Sequence, residues 1–296
     1  MSDRASISNI VKLSIPIFFA NLVIPLVAIV DTGLMGNLDN ASYLTATSIA
    51  TSVFSLIFWS FGFLRMGTVG IVAQAHGSKE YDEIVNLVFR NIAFVILISL
   101  LLILCQKYIF TISLSIFELS DDTTKYFKEY FDLRIYSSFG ELTIYIITGL
   151  FIGLQRTTVS SVAVGFFSIT NILFSLLFVV YFDLDVQGVA LGTVISSTLT
   201  AIIFLSYTFF ELQKLTSIKI NLLKIFNVKK IQKLFNINFD IFIRSALLTF
   251  SFLFFTYLGN TISEDVVAAN TILLNMIMLS AFILDAYAFS TEGIVG

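Results

Sequence analysis

Charge is scarce in this chain. Of its 296 residues, 12% are Asp, Glu, Lys or Arg and 57% are apolar, with a mean hydropathy of +0.94. A soluble domain carries about a quarter charged residues, because its core needs a solvated coat. This chain has too few to coat anything, so its apolar runs face lipid. Cysteine is nearly absent, and Cys105 alone excludes a disulfide scaffold or a cysteine-based zinc site. Histidine is as rare, and His76 alone leaves almost no scope for a His-metal centre or a Ser-His-Asp triad. No GxxxxGK[ST] run cradles a nucleotide, and a net charge of -3 with a pI near 5.2 carries no nucleic-acid footprint. No nucleophile–base pair or metal set is visible, so the chain does not read as an enzyme.

What is present is apolar length. Stretches of about 20 apolar residues, the span of a 30 Å hydrocarbon core, occur at 10–35, 46–72, 87–110, 133–154, 158–181, 188–211, 236–259 and 267–293. Phe, Ile and Leu dominate them, whereas a β-barrel would show shorter alternating segments. The chain therefore reads as an all-α polytopic membrane protein. The first stretch is too long for a signal-peptide core and carries Asp31 within it.

Lys and Arg placement predicts the topology. With the N-terminus in the cytoplasm, the inner segments hold Arg4, Lys12, Lys79, Arg90, Arg156 and six lysines from Lys214 to Lys233, eleven of seventeen. The outer loops hold Lys107, Lys125 and Lys128 beside Glu118, Asp121 and Asp122, and otherwise only acids. The longest inner connection, KLTSIKINLLKIFNVKKIQKL (Lys214 to Leu234), interleaves lysines with Ile, Leu and Phe. Such a segment lies along an anionic inner leaflet.

An internal repeat organises the spans. Shifted by 223 positions, Gly36-Asn37 falls on Gly259-Asn260, Ala46 on Ala269 and Ile49 on Ile272. Thr68 to Val72 falls on Thr291 to Val295 without a gap. Spans seven and eight thus repeat spans one and two, and the repeats are parallel because both copies start inside. The predicted division is a six-helix lobe (1–211), an amphipathic linker (212–234) and the first two helices of a second lobe (235–296). Completing that lobe takes about four more spans, so the sequence reads as C-terminally truncated and residues 1–296 alone are not expected to transport.

Several segments resemble the multidrug and toxic compound extrusion (MATE) transporters, and within them the DinF-like branch. They are Pro16 to Thr32 with its Val30-Asp31-Thr32, FLRMGTVGIVAQAHG (Phe63 to Gly77) and YFDLR (Tyr130 to Arg134). GLFIGLQRT (Gly149 to Thr157), NILF (Asn171 to Phe174), VQGVALGTVIS (Val186 to Ser196) and LDAYAFSTEGIVG (Leu284 to Gly296) complete the set. The resemblance covers essentially the whole chain in order. It implies two six-helix lobes around a central cavity. It also implies export of organic, often cationic or amphipathic compounds in exchange for protons or sodium.

Asp31 is the leading candidate for the coupling site. A carboxylate within a span is costly unless neutral or paired, so it marks proton or ion sites. The plain alternative is an interfacial aspartate at a helix end. The family places its coupling aspartate here. It completes the site with an Asn and an Asp on helix five and a Thr on helix six. Asn171 and Thr193 match, but the second acid is Ser175. That departure disfavours a two-acid proton site or a tight sodium site in this lobe. Thr193, Ser197 and Thr200 form a polar stripe, and Ser and Thr also serve simply as helix-packing hydrogen bonders. Pro16 and Pro25, the only prolines, both lie on helix one, where each can kink it, either as fixed shape or as a coupling device. Asp285 in span eight is a second coupling candidate. Arg65, Arg134 and Glu141 read as pairing or anchoring charges, Arg134 and Glu141 sharing a face at a spacing of seven. His76, in an inner loop, and Cys105, in a span, read as bystanders.

The expected function is a proton-driven antiporter exporting small amphipathic or cationic organic compounds across a bacterial-type inner membrane. It is expected to be monomeric, to bind only its substrate and the bilayer, and to use no cofactor beyond the coupling ion. Two rivals stand beside it. A lipid-linked saccharide flippase of the related superfamily predicts an Arg-lined cavity, and a truncated membrane scaffold predicts no ion-coupled activity.

Overall fold

The computed structural model describes residues 7–38, 40–117, 119–216 and 264–295, with residues 225, 227, 228, 231, 232, 239–248, 250, 251, 254 and 258 between them. Within 264–295, the side chains described are those of 273, 274, 276, 277, 280, 281 and 283–295. Every described element is a helix. In chain order they are α1 (Ile7–Gly36), α2 (Ala41–Ser60), α3 (Phe63–Gly77), α4 (Tyr81–Leu104), α5 (Gln106–Ile116), α6 (Asp121–Arg134), α7 (Ser138–Gly153), α8 (Thr157–Leu176), α9 (Asp185–Leu215) and α10 (Glu264–Val295). Six stretches of the described residues are long and apolar enough to cross a membrane: Ile7–Gly36, Ala41–Gly77, Tyr81–Leu104, Asp121–Gly153, Thr157–Tyr181 and Asp185–Leu215. They correspond to the first six predicted spans. The protein is a multi-pass membrane protein.

Three span boundaries differ from expectation, each for a local reason. Span two is two helices, because Phe61 and Gly62 tighten into i→i+3 hydrogen bonds onto Phe58 O and Trp59 O at 2.9 and 3.0 Å. Span three begins earlier, at Tyr81, and breaks at Cys105, which is exposed between α4 and α5 rather than inside a span. Span four begins at Asp121, where Ser120 caps α6 (Thr123 N to Ser120 Oγ, 3.4 Å) and two aspartates favour its positive end. A 3-10 turn over Ile135–Ser137 then joins α6 to α7. His76 belongs to the last turn of α3, not to a loop. Span seven and the linker lie largely outside the described residues.

In the 223-residue offset of the repeat, α10 (Glu264–Val295) stands opposite α2 and α3. It runs unbroken through Leu284-Asp285, where its counterpart breaks at Phe61-Gly62.

Small residues set the packing around α7, which is buried around most of its circumference. A Cβ on Gly149 would lie 2.6 Å from Arg65 O, and one on Gly153 2.8 Å from Val69 O, so α3 rests directly on α7. On another side, a Cβ on Gly140 would lie 2.5 Å from the carbonyl carbon of Ser197 in α9. Gly293 of α10 makes the third such contact, on Ile152 O. Without a hydrophobic drive between helices in lipid, close backbone approach supplies the van der Waals attraction. α1 packs along α8 and α10, and α2 along α6. Ile15, Phe19, Leu22, Leu26 and Ile29 of α1 stay exposed, as a lipid-facing stripe must.

Candidate functional site

The site begins with two helices held unusually close. Gly188 and Gly192 lie four apart on α9, and a Cβ on Gly192 would stand 2.8 Å from both N and Oγ of Ser175 on α8. This contact brings Asn171 to Thr193, whose Oγ1 accepts from Asn171 Nδ2 at 2.9 Å and donates to Val189 O at 3.1 Å. Asn171, Ser175 and Thr193 are all buried. α1 lies along α8 and places the half-buried Asp31 against the same surface, with Ser175 beside its carboxylate.

Three oxygens of this group lack a hydrogen-bond partner among the described residues while closed to solvent. They are Asp31 Oδ1, Asn171 Oδ1 and Ser175 Oγ. An orphaned buried polar atom costs about 1–3 kcal/mol, so a cluster of them marks a place built to receive something. Oxygens alone suit a proton, a cation or water. Thr193→Val would remove the acceptor of Asn171 Nδ2. A loss of about 1–3 kcal/mol is expected, read as a lower unfolding midpoint of detergent-purified protein without loss of membrane insertion.

A charged pair borders the group. Arg134 at the end of α6 donates through Nη1 to Ser137 Oγ and Glu141 Oε1, and Ser137 Oγ donates to Glu141 Oε1 at 2.8 Å. The guanidinium carbon sits 5.3 Å from the ring centroid of Phe54 and 5.4 Å from that of Phe58. Asp31 lies within electrostatic reach of both Arg134 and Tyr130, and Tyr130 Oη stands 3.5 Å from Thr51 Oγ1. Tyr145, one helical turn further on, is within reach of Arg134, Glu141 and Arg65.

The structure thus brings together Asp31, Asn171, Ser175 and Thr193. Ser197 and Thr200 stay apart: Ser197 packs on Gly140, and Thr200 Oγ1 donates to Ser196 O at 2.7 Å. Pro16 and Pro25 are half-buried within α1, which stays helical through both. Asp285 is exposed on α10 and belongs to a different set of charges, with Arg65 and Arg244 in reach. There the Arg65 guanidinium lies 4.1 Å over the Phe289 ring, and Arg244 Nη2 donates to Met66 Sδ at 3.3 Å. Sequence reasoning passed over Tyr130, Ser137 and Tyr145. Their spacing from Arg134 and Glu141 (130, 134, 137, 141, 145) follows one helical face and was the available signal.

Comparison with known proteins places this geometry in context. The MatE family profile matches residues 16–177, more than half of the chain. DNA damage-inducible protein F of Escherichia coli K12 is 30% identical over 242 residues, covering 81% of this chain and 52% of that protein. Multidrug export protein MepA of Staphylococcus aureus NCTC 8325 is 23% identical over 238 residues, covering 80% and 52%. An outward-facing multidrug resistance MATE family transporter of the MOP superfamily superposes with a TM-score of 0.85 at 19% identity, covering 97% of this chain and 63% of that one. The chain spans about half the length of the curated relatives it matches.

Proposed function

The chain belongs to the MATE family, and from that premise we propose that it forms the first lobe and the start of the second lobe of a proton-coupled antiporter. Its substrates are small amphipathic or cationic organic compounds, moved out across a bacterial-type inner membrane. The observation that carries the reading is the unpartnered Asp31 Oδ1 beside the equally unpartnered Asn171 and Ser175 oxygens. With one carboxylate in the group, loading and unloading a proton is the simplest cycle available. A tight sodium site would want a second acid where Ser175 stands.

Other features support the same reading. Arg156 and Lys214 meet where α8 begins and α9 ends, both bonded to Glu211, and Thr216 after α9 bonds to Asp82 at the start of α4, just past Lys79. That side is the cytoplasmic one by the positive-inside rule, which sets both the N-terminus and the linker inside. The division into a lobe at 1–211, a linker at 212–234 and a second lobe from 235 follows from the repeat. The Arg134 charge near Asp31 is matched by Glu141, leaving Asp31 as the excess charge. An interior of that sign favours an exporter of cations over a flippase for anionic lipid-linked saccharides. The working unit is a monomer that needs no cofactor beyond the coupling proton.

The test uses cells expressing the native reading frame that contains this chain, loaded with a fluorescent lipophilic cation. Efflux is expected to stop on adding a protonophore and to persist when sodium is replaced by choline. Efflux that ignores the protonophore, or that needs sodium, overturns proton coupling.

A further inference from the structure

The turn between α7 and α8 opens on a cavity that the proton cycle leaves unused. In that turn Arg156 N bonds to Phe151 O at 2.7 Å and Gln155 N to Ile152 O at 2.9 Å. Gln155 stands at φ 59°, the left-handed position where a helix of this ending usually has glycine. A glutamine serves there through its side chain, since Nε2 donates to Gly293 O at 3.1 Å and ties the end of α10 to the turn. The cavity beside it measures about 490 Å³. Its wall includes Lys12 of α1, His76 of α3, Gln155, Thr157 and Thr158 at the start of α8, and Ile294 of α10. That volume lies within the usual range of ligand cavities, about 300–1,000 Å³.

The wall is made of donors. Arg156 precedes α8 without a side-chain bond to the helix, and Val159 N bonds to Arg156 O at 3.0 Å. The N–H groups of Thr157 and Thr158 have no acceptor among the described residues. Free amides at the positive end of a 20-residue helix attract negative charge. Thr157 is an independent mark of a ligand. It is 2% exposed, its hydroxyl has no hydrogen-bond partner among the described residues, and what stays open of it lies on the cavity wall. A hydroxyl so deeply buried is normally bonded. Lys12 adds a cation, and every described residue on the wall is neutral or basic. Glu211, bonded to the adjoining Arg156, is already taken by Arg156 and Lys214. Donors converging from α1 and α8 suit an anion with several oxygens. The cavity also lies on the side that Lys and Arg placement makes cytoplasmic, where anionic lipid headgroups stand.

We propose that this cavity binds a phosphate group, presented by a lipid headgroup of the inner leaflet or free in the cytoplasm. The two amides and the Thr157 hydroxyl in the first turn of α8 hold its oxygens, and Lys12 balances its charge. An occupant touches α1, α3, α8 and α10 together, so it braces the end of the bundle where Gln155 ties α10 to the turn after α7. Lys12 and Asp31 stand about five turns apart on α1. The phosphate site is therefore separate from the Asp31 group and does not depend on its coupling role.

The test follows thermal unfolding of the native full-length protein in a maltoside detergent. One arm compares phosphatidylglycerol with diacylglycerol, which has the same tails and no phosphate. The other compares sodium phosphate with sodium chloride at equal, low ionic strength, too dilute for the general stabilisation by excluded salts. With ligand at a hundredfold excess over its Kd, the unfolding midpoint is expected to rise by about 3 °C or more. A rise with phosphatidylglycerol alone supports the proposal with lipid as the source, and a rise with inorganic phosphate supports it with the free anion as a ligand. Lys12→Gln and Thr157→Val are each expected to weaken binding about tenfold, the effect of one hydrogen bond to a charged group. Neither side chain has a partner to lose among the described residues, so the midpoint without ligand should stay in place. Thr157→Ser keeps the hydroxyl and Lys79→Gln removes an exposed lysine outside this wall, and both are expected to respond like the parent. No phosphate-dependent rise in either arm, or a rise that Lys12→Gln or Thr157→Val leaves untouched, overturns the proposal.

Discussion

Replacing Asp31 by Asn is expected to reduce substrate-driven proton movement to background while leaving the folded protein at least as stable as before. The two halves of this result have one cause. Asp31 Oδ1 is buried without a partner, so the native fold bears a desolvation cost at this atom that packing does not repay. Asn has the same shape and no charge, and its amide N–H can donate toward the Ser175 hydroxyl beside it. The substitution therefore removes a liability rather than a support. Function has the opposite dependence. No other acid lies in the group with Asn171, Ser175 and Thr193, so a proton cycle has nowhere else to load. The loss should be total rather than graded, whereas Asp31→Glu keeps a carboxylate on a longer stem and should retain part of the activity. Paired measurements of proton release and thermal unfolding check this. A destabilised Asp31→Asn protein would instead make Asp31 a structural residue.

How much of this was legible in the sequence varies with the kind of interaction. Spans were readable because lipid demands about 20 apolar residues whatever the tertiary contacts. Their breaks were not. Gly62 weakens a helix, but Gly67 and Gly70 of the same span lie inside α3, so glycine alone does not mark the break. The equivalent Leu284-Asp285, which has no glycine, stays helical. The start of span four was missed for a similar reason. Asp121 to Arg134 carries too many charges to look apolar, yet its Phe127, Tyr130 and Phe131 are buried.

The site divides the same way. Asn171, Ser175 and Thr193 were legible because helical periodicity puts Asn171 and Ser175 on one face and because the family pattern names their positions. The reason they meet was hidden in two glycines. Gly188 and Gly192 look like ordinary helix-weakening residues until the backbones of α8 and α9 are seen in contact. Arg134 and Glu141 were recognised as sharing a face, which the structure turns into an ion pair. That Arg134 lies within electrostatic reach of Asp31 was not readable. It depends on how α1 and α6 sit across the lobe, and no local spacing encodes that.

The glycines of α7 carry the second large prediction. Gly149→Leu, or Gly153→Leu, is expected to abolish accumulation of folded protein in the membrane, whereas Gly165→Ala on α8 should be neutral or mildly stabilising. At position 149 a side chain would enter at 2.6 Å from Arg65 O and 2.9 Å from Thr68 Cβ; at 153 it would enter at 2.7 Å from Val72 Cβ. Backbone atoms cannot step aside, so α3 and α7 must separate. Overpacking in a core commonly costs about 1–3 kcal/mol even where side chains can adjust. Here the cost spreads further, because α7 is also pinned by Gly140 on Ser197 and through Gly293 on Ile152. Moving α7 away from α3 would drive it into α9. Gly165 faces open space, so alanine there only gains helix propensity, up to about 1 kcal/mol. Size-exclusion profiles of fluorescently tagged variants would separate these outcomes. Gly149→Ala offers a graded middle case: its single methyl meets the same backbone atoms, so it should yield reduced amounts of protein. Any of that protein that folds carries a displaced α7, and with it a displaced Glu141.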